Sequence, residues 1–188
     1  MLPHVTTLTT LRLTIRPLVE ADLPTLVTYR NDPDVARYQG WPLPSTLEQE
    51  QHLISSSALV SSSALFSSSA LGREGWVQRG ITLKNGELIG DLGLNRRGPQ
   101  AELGITLARH AQGHGYASEA IRALLNFTFQ DLKLHRVHAS IDPRNHAVGQ
   151  LLRHVGFRHE GTHLKSYWHR GEWTDDTVYA VLQEEWRA

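Results

Sequence analysis

The tightest constraint on the fold of this 188-residue chain is a run of alternating segments between residues 76 and 108. "WVQRGITLK" (76–84), Asn85-Gly86 and "ELIGDLGLN" (87–95) read as two strands joined by a hairpin, because Asn-Gly supplies the positive φ angles of a type I′ turn. After Gly98-Pro99, "AELGITLA" (101–108) continues the meander as another strand. Upstream, "LRLTIRPL" (11–18) alternates Leu11, Leu13 and Ile15 with Arg12, Thr14 and Arg16, the pattern of a half-buried strand. Between these strands, Val19, Leu23, Leu26 and Val27 recur at helical spacing until Asn31-Asp32-Pro33 stops them. "ARYQGWPLP" (36–44) reads as an aromatic, proline-rich loop, and Ser45-Thr46-Leu47-Glu48 has the capping-box spacing that opens a second helix.

Downstream, the pattern predicts a helix from Ala117 to Gln130 and a strand over "HRVHASID" (135–142). A further helix carries Ala147, Val148, Leu151, Leu152 and Val155 and ends at Gly156, and "TDDTVYAVLQEEW" (174–186) reads as a last strand. The order predicts a mixed sheet with helices on its faces, an α/β (α+β) sandwich. One segment stands apart: "SSSALVSSSALFSSSALG" (55–72), three near-copies of a six-residue unit. Six residues advance a helix by about 600°, so Leu59, Leu65 and Leu71 point to different sides. We read it as a low-complexity expansion of a connection, partly helical, within one domain spanning 1–188.

Composition removes several classes of function. Lysine plus arginine and aspartate plus glutamate both number 19, so no global charge suggests a grip on nucleic acid or an anionic membrane. There is no cysteine, which excludes disulfides, thiolate metal ligands and a cysteine nucleophile, and which fits a reducing cytoplasm. No apolar run is long enough to span a membrane.

The chemistry concentrates in "RHAQGHGYASEA" (109–120). Gln112, Gly113, His114, Gly115, Tyr116 and Ala117 lie between a strand and a helix, where glycines let successive N–H groups turn toward one point. The helix start adds partial positive charge and Ser118 a hydroxyl, so the segment suits a phosphate or pyrophosphate; a plain tight turn is the alternative. It lacks the three-glycine spacing of a dinucleotide fingerprint and the lysine of a nucleotide-triphosphate loop. His110 and His114 have no nearby carboxylate to complete a ligand set, so no metal is expected.

The same segment resembles the coenzyme A-binding stretch of GNAT acyltransferases, Q/R-x-x-G-x-G/A, with His110 standing where glutamine or arginine is usual. "AELGITL", "GYASEA", "LRLTIRPL", "DPRNHAVGQLLRHVGFRHEG" (142–161) and "GEWTDDTVYAVLQEEW" (171–186) are similar to the Rim-type branch, the ribosomal-protein N-terminal acetyltransferases, over nearly the whole chain outside 55–72. The resemblance implies a mostly antiparallel sheet of six to seven strands flanked by about four helices, with a splayed parallel pair at the cofactor site. It implies transfer of acetyl from acetyl-CoA to an amine by direct attack, in the cytoplasm, and allows a homodimer. Main-chain groups near Ile105, Thr106 and Leu107 would pair with the pantetheine arm, the amides of Gln112 to Ala117 with Ser118 would hold the pyrophosphate, and Asn145 would meet the pantetheine end or simply cap its helix. Glu102 is the leading base, directly or through water; a strand-face carboxylate paired with an arginine is the plainer reading. Asp175 matches a family position near the active-site end, His138 is a third choice, and Tyr38 and Trp41 offer aromatic walls to the acceptor or seal the core edge. The usual acids at the sulfur are absent: the family's tyrosine position is Leu152 and the Rim-type serine position is Val148, which leaves Asn145, water or Tyr167. The acceptor is a peptide N-terminus or a small amine such as an aminoglycoside, polyamine or metabolite; a coenzyme-binding sensor without turnover is the alternative.

Overall fold

The computed structural model describes residues 7–61 and 76–187, without the side chains of 57–61; residues 62–72 of the serine repeat lie outside the described residues. Eight strands form one sheet: β1 (Leu8–Thr9), β2 (Leu13–Pro17), β3 (Trp76–Leu83), β4 (Leu88–Arg97), β5 (Gln100–Leu107), β6 (Arg136–Ile141), β7 (Arg158–His169) and β8 (Glu172–Leu182). Their spatial order is β1-β2-β3-β4-β5-β6-β8-β7, antiparallel throughout except for the parallel pair β5–β6. The helices are α1 (Leu23–Arg30), α2 (Pro33–Ala36), α3 (Leu47–Ser61), α4 (Tyr116–Asn126) and α5 (His146–His154). The mixed, mostly antiparallel sheet anticipated from the sequence is observed, and the splay at its parallel pair with it.

Two apolar layers explain the sandwich. On one face α4 and α5 pack Ile121, Leu124, Leu125 and Leu152 against Leu13, Leu92, Leu103 and Val137. On the other, α1 to α3 bring Leu26, Tyr29, Val35 and Ile54 onto Leu18, Leu88 and Ala108. Strand β4 lies between the layers and is buried along nearly its whole length.

Several local expectations shift. Of the alternating residues in β2, Leu13 and Ile15 are buried, whereas Leu11 precedes the strand and is 89% exposed. Gly86 alone of the Asn85-Gly86 pair takes a positive φ; its N–H donates to Leu83 O and the turn closes with Leu83 N–H on Glu87 O, a longer loop than type I′. The two-residue turn with both φ positive occurs instead at Arg170-Gly171, between β7 and β8. Strand β7 escapes a periodicity reading because it is an edge strand exposed on both sides, with bulges that interrupt its register. The capping box moves by one residue: Thr46 and Gln49 exchange the reciprocal bonds, at 3.0 and 3.3 Å. Ser45 is drawn inward, its hydroxyl donating to Glu50 at 2.5 Å. The helix expected to reach Gln130 continues past Asn126 as a π-type turn (127–131), and the last strand stops at Leu182, where Glu185 and Trp186 fold back onto its carbonyl.

Glu50 belongs to a buried polar cluster between α1, α3 and β4. Arg30, Glu50 and Asp91 are 5%, 3% and 3% exposed. The Arg30 guanidinium lies 3.2 Å from Glu50 and 3.1 Å from Asp91, and the Tyr29 hydroxyl donates to Asp91. Burial opposes the Arg30 charge, yet Asp91, Tyr29 and Glu50 together raise its pKa, so the cation is locked in place.

Candidate active site

Strands β5 and β6 pair over three residues only, ending at Glu102 opposite His138. Beyond that point β5 stays paired to β4 through Leu107 while β6 turns to β8, so the two diverge. A small pocket of about 90 Å³ fills the gap, lined by Leu103, Gly104 and Ile105 on one side and by Ser140, Asn145 and Val148 on the other. One edge of β5 from Leu103 onward, including Ile105, therefore faces the gap, an edge to which an extended chain could add in the manner of a strand.

At the far end of β5 the chain turns through Arg109–Ala111 into the glycine segment. Gly113 and Gly115 have φ of 79° and 78°, the left-handed region that favours glycine. A Cβ on Gly113 would meet nothing within 4 Å, so the backbone there borders open space. Gly115 caps α4, and the first bond across the cap runs from Glu119 N–H to Gly115 O at 3.1 Å. The amides of Tyr116, Ala117 and Ser118 precede it and have no acceptor within the helix. Arg12 braces the loop, donating to His114 O at 2.9 Å and to Glu119 at 2.6 Å, with its guanidinium 4.7 Å from the Tyr116 ring centroid. The His114 ring stacks on Tyr116 at 5.7 Å and His110 meets Glu87 at 3.1 Å. Gln112 donates to Leu107 O at 3.0 Å, tying the loop to the end of β5. These features fit a diphosphate: a helix start with unpaired amides adjoins Gly113, whose backbone borders open space, and the Arg12 cation lies beside Gly115. Gly115→Val, which adds strain at a left-handed position and a group against Arg12, is expected to weaken coenzyme A binding about tenfold or more in calorimetry. Unchanged affinity would sink the cradle assignment.

Continuous with this gap, and sharing Leu103, Gly104, Ile105 and Ser140 with it, is an open cleft of about 690 Å³. Glu102 lines it at the point where β5 leaves β6, with Thr106 farther along. Burial pushes the Glu102 carboxyl above the ordinary carboxylate range; Arg97 pulls it back, Asp176 adds to the rise, and a hydrogen bond from Asn95 favours the charged form. Asp175 also lines the cleft, but its carboxylate accepts the Lys165 N–H at 2.9 Å and so fastens the β7 bulge. His138 is not among the residues lining the cleft. Asn145 sits in the other pocket and caps α5, accepting from the Val148 N–H at 3.3 Å.

The cleft's outer wall is the segment that carries Tyr38 and Trp41. Trp41 does two things: it lines the cleft, and its ring covers the buried Arg30 guanidinium at 4.6 Å while its indole N–H donates to Arg30 O at 3.1 Å. The β7–β8 hairpin clasps this segment from above. His169 meets Arg37 O at 3.1 Å, Arg170 donates to Gln39 O at 3.3 Å, and the Tyr167 hydroxyl lies only 2.9 Å from where a Cβ on Gly40 would stand. Gly40→Ala is expected to turn Tyr167 aside, changing the acceptor KM about threefold while coenzyme affinity and stability stay within about 1 kcal/mol. An unaltered KM would show that the Tyr167 hydroxyl does not reach the acceptor.

Sequence reasoning did not find Asn95, Arg97, Ser140, Asp176 or His169. They come from four different strands, and only the order β4-β5-β6-β8-β7 makes them neighbours. Among the described residues no group of three or more histidines and carboxylates is placed to hold a metal ion, and no helix is long and apolar enough to cross a membrane.

Comparison with known proteins gives this geometry its class. The profile of the acetyltransferase (GNAT) domain matches residues 12–158. An uncharacterized N-acetyltransferase, p20, from Bacillus licheniformis is 30% identical over 186 residues, covering 96% of this chain and 98% of its own. The structure of Mycobacterium smegmatis RimJ in complex with CoA-disulfide shares the fold with a TM-score of 0.81 at 23% identity, over 98% of this chain and 91% of that one. Spermidine N-acetyltransferase from Vibrio cholerae, in complex with CoA and spermine, superposes with a TM-score of 0.76 at 22% identity, over 92% and 96%. The chain belongs to the GNAT family of acetyltransferases. It is an acetyl-CoA-dependent N-acetyltransferase, as the resemblance in the sequence implied.

Proposed function

We propose that the chain acetylates a primary amine by direct attack, with Glu102 as the base and a protein N-terminal α-amine as the leading acceptor. One observation carries the reading: the sheet parts immediately after Glu102, and the narrow gap beside β5 opens there into an acceptor-sized cleft that Glu102 itself lines. Acetyl-CoA supplies the activated acetyl thioester. The amides of Gly113, His114, Gly115, Tyr116 and Ala117 and the hydroxyl of Ser118 hold its diphosphate, while the Gln112 N–H, expected to join them, donates to Arg109 O at 3.2 Å; the open edge of β5 at Ile105, Thr106 and Leu107 aligns the arm, and Asn145 borders the gap. A main-chain N–H of the same strand edge polarises the carbonyl.

Glu102 then takes the proton that the amine must shed. A carboxyl whose pKa is raised by burial is a better base than an ordinary one. Tyr38, Trp41 and Asp175 wall the acceptor. Leu152 and Val148 border the gap where related enzymes place an acid, so this chain brings no tyrosine or serine there, and the leaving thiolate takes its proton from water.

A small polyamine is the second reading, and the lining favours it. Glu102 and Asp176 line the cleft against Arg97, once Arg30 pairs with Asp91, Arg144 with Asp142 and Lys165 with Asp175. Such a wall attracts an acceptor that arrives as a cation. Incubation with acetyl-CoA and either an alanine-led tripeptide or spermidine, followed by free-thiol release, separates the readings. Release with the peptide alone supports the first and release with spermidine alone the second. Coenzyme binding without release above hydrolysis on any amine of a wider panel would return the chain to the class of coenzyme sensors.

A further inference from the structure

We infer that Asp176, held by the Ser140 hydroxyl, is a positioning residue for Glu102 in the removal of the acceptor's proton. The inference rests on the reading of Glu102 as the base. Three strands contribute: Glu102 from β5, Ser140 from β6 and Asp176 from β8, all lining the cleft. Ser140 Oγ lies 2.8 Å from one Asp176 carboxylate oxygen and 2.6 Å from the other, so its hydroxyl donates across the carboxylate and fixes its orientation. Ser140 also lines the small pocket in the gap, so the pair stands where cleft and gap meet.

The physical role follows from charge. Glu102 pairs with His138 in the sheet, and Ser140, which holds Asp176, stands two residues along β6 on the same face; a second carboxylate there makes the proton-bound form of Glu102 easier to reach and so strengthens it as a base. The opposing groups are on β4, where Arg97 and Asn95 favour the ionised form. His138 lies beside Glu102 in the β5–β6 register, and Asp142 and Asp175 complete the charged lining. Arg97 keeps Glu102 ionised at rest; Asp176 makes it receptive when an ammonium enters between the two carboxylates. The ammonium first gives one proton to solvent, which frees its lone pair; as that pair forms the N–C bond and the C–S pair leaves with sulfur, the nitrogen's second proton passes to Glu102 rather than to Asp176, which Ser140 holds.

The test reads Glu102 directly. In protein labelled with ¹³C at glutamate carboxyls and saturated with coenzyme A, the Glu102 resonance is assigned by its loss in Glu102→Gln and titrated. Its midpoint is expected above the ordinary value of about 4.3. Asp176→Asn should lower that midpoint by about one pH unit, while Asp176→Glu, which keeps the charge, should leave it near that of the unmodified protein. With spermidine or an alanine-led tripeptide as acceptor, Asp176→Asn should lower kcat about three- to tenfold with coenzyme affinity unchanged. An unmoved midpoint in Asp176→Asn overturns the inference. If that variant does not bind coenzyme A, Asp176→Ser takes its place; a lowered midpoint there supports the inference and an unmoved one overturns it. A Glu102→Gln enzyme with full turnover removes the underlying reading of Glu102, whatever the midpoints show.

Discussion

Glu102→Gln is expected to lower turnover on amines by about 10²- to 10³-fold while coenzyme A binding stays near normal. Glutamine preserves the side chain's size and its contact with Asn95 but cannot take a proton. Turnover by the unmodified enzyme should rise with pH through the range where Glu102 ionises, which burial and Asp176 place above that of an ordinary carboxylate. In the variant that rise should be gone, leaving only the slope from ionisation of the amine itself, which is a property of the acceptor and not of the enzyme. The comparison needs kcat and kcat/KM across pH together with calorimetry on coenzyme A. A profile identical in shape and height to that of the unmodified enzyme would remove Glu102 as base and hand the role to water or to another carboxylate of the cleft.

The second large effect concerns stability. Arg30→Met is expected to destabilise the fold by about 3–5 kcal/mol, because it leaves Glu50 and Asp91 buried without the guanidinium between them. For a chain of this size that is a fall in melting temperature on the order of 10 °C. The converse variant, with Arg30, Glu50 and Asp91 all replaced by apolar residues of similar volume, should regain most of the loss, since it removes every charge rather than one. Urea unfolding of both proteins measures the difference. A loss below about 1 kcal/mol for Arg30→Met would mean that solvent reaches the two carboxylates and that the cluster adds little to stability. Trp41 packs on the same guanidinium, so the single variant should also loosen the acceptor wall and raise the acceptor KM.

The glycine segment shows what sequence reading does well. Gly113 and Gly115 are informative as letters because few residues other than glycine sit comfortably at φ near 79°, and the structure has them there. The strands of the 76–108 meander were equally legible, since apolar residues recur in each of them between the Asn85-Gly86 and Gly98-Pro99 turn signals. Turn chemistry was less so: Asn85-Gly86 carries the hairpin signal, but the two-residue turn belongs to Arg170-Gly171, where an arginine accepts a positive φ under the pull of long flanking strands. Ser45 shows the same competition at a helix start, for its hydroxyl serves the buried Glu50 and Thr46 takes over the cap. The Ser140–Asp176 bond spans 36 residues and depends on β8 lying beside β6, so no local pattern announces it.

The three-residue seam between β5 and β6 has a mechanical consequence. It is the one lateral connection, among the described strands, between a block of five (β1 to β5) and a block of three (β6 to β8). A coenzyme arm lying in the gap beyond it would bond to the edge of the first block and press against α5, which follows β6 in the second, and would thus serve as a strut. The protein's rigidity is then partly borrowed from its own substrate: filling the site stiffens the sheet, and each product release slackens it again. Chain stability and coenzyme supply become linked quantities, joined by the ratio of free coenzyme to its dissociation constant.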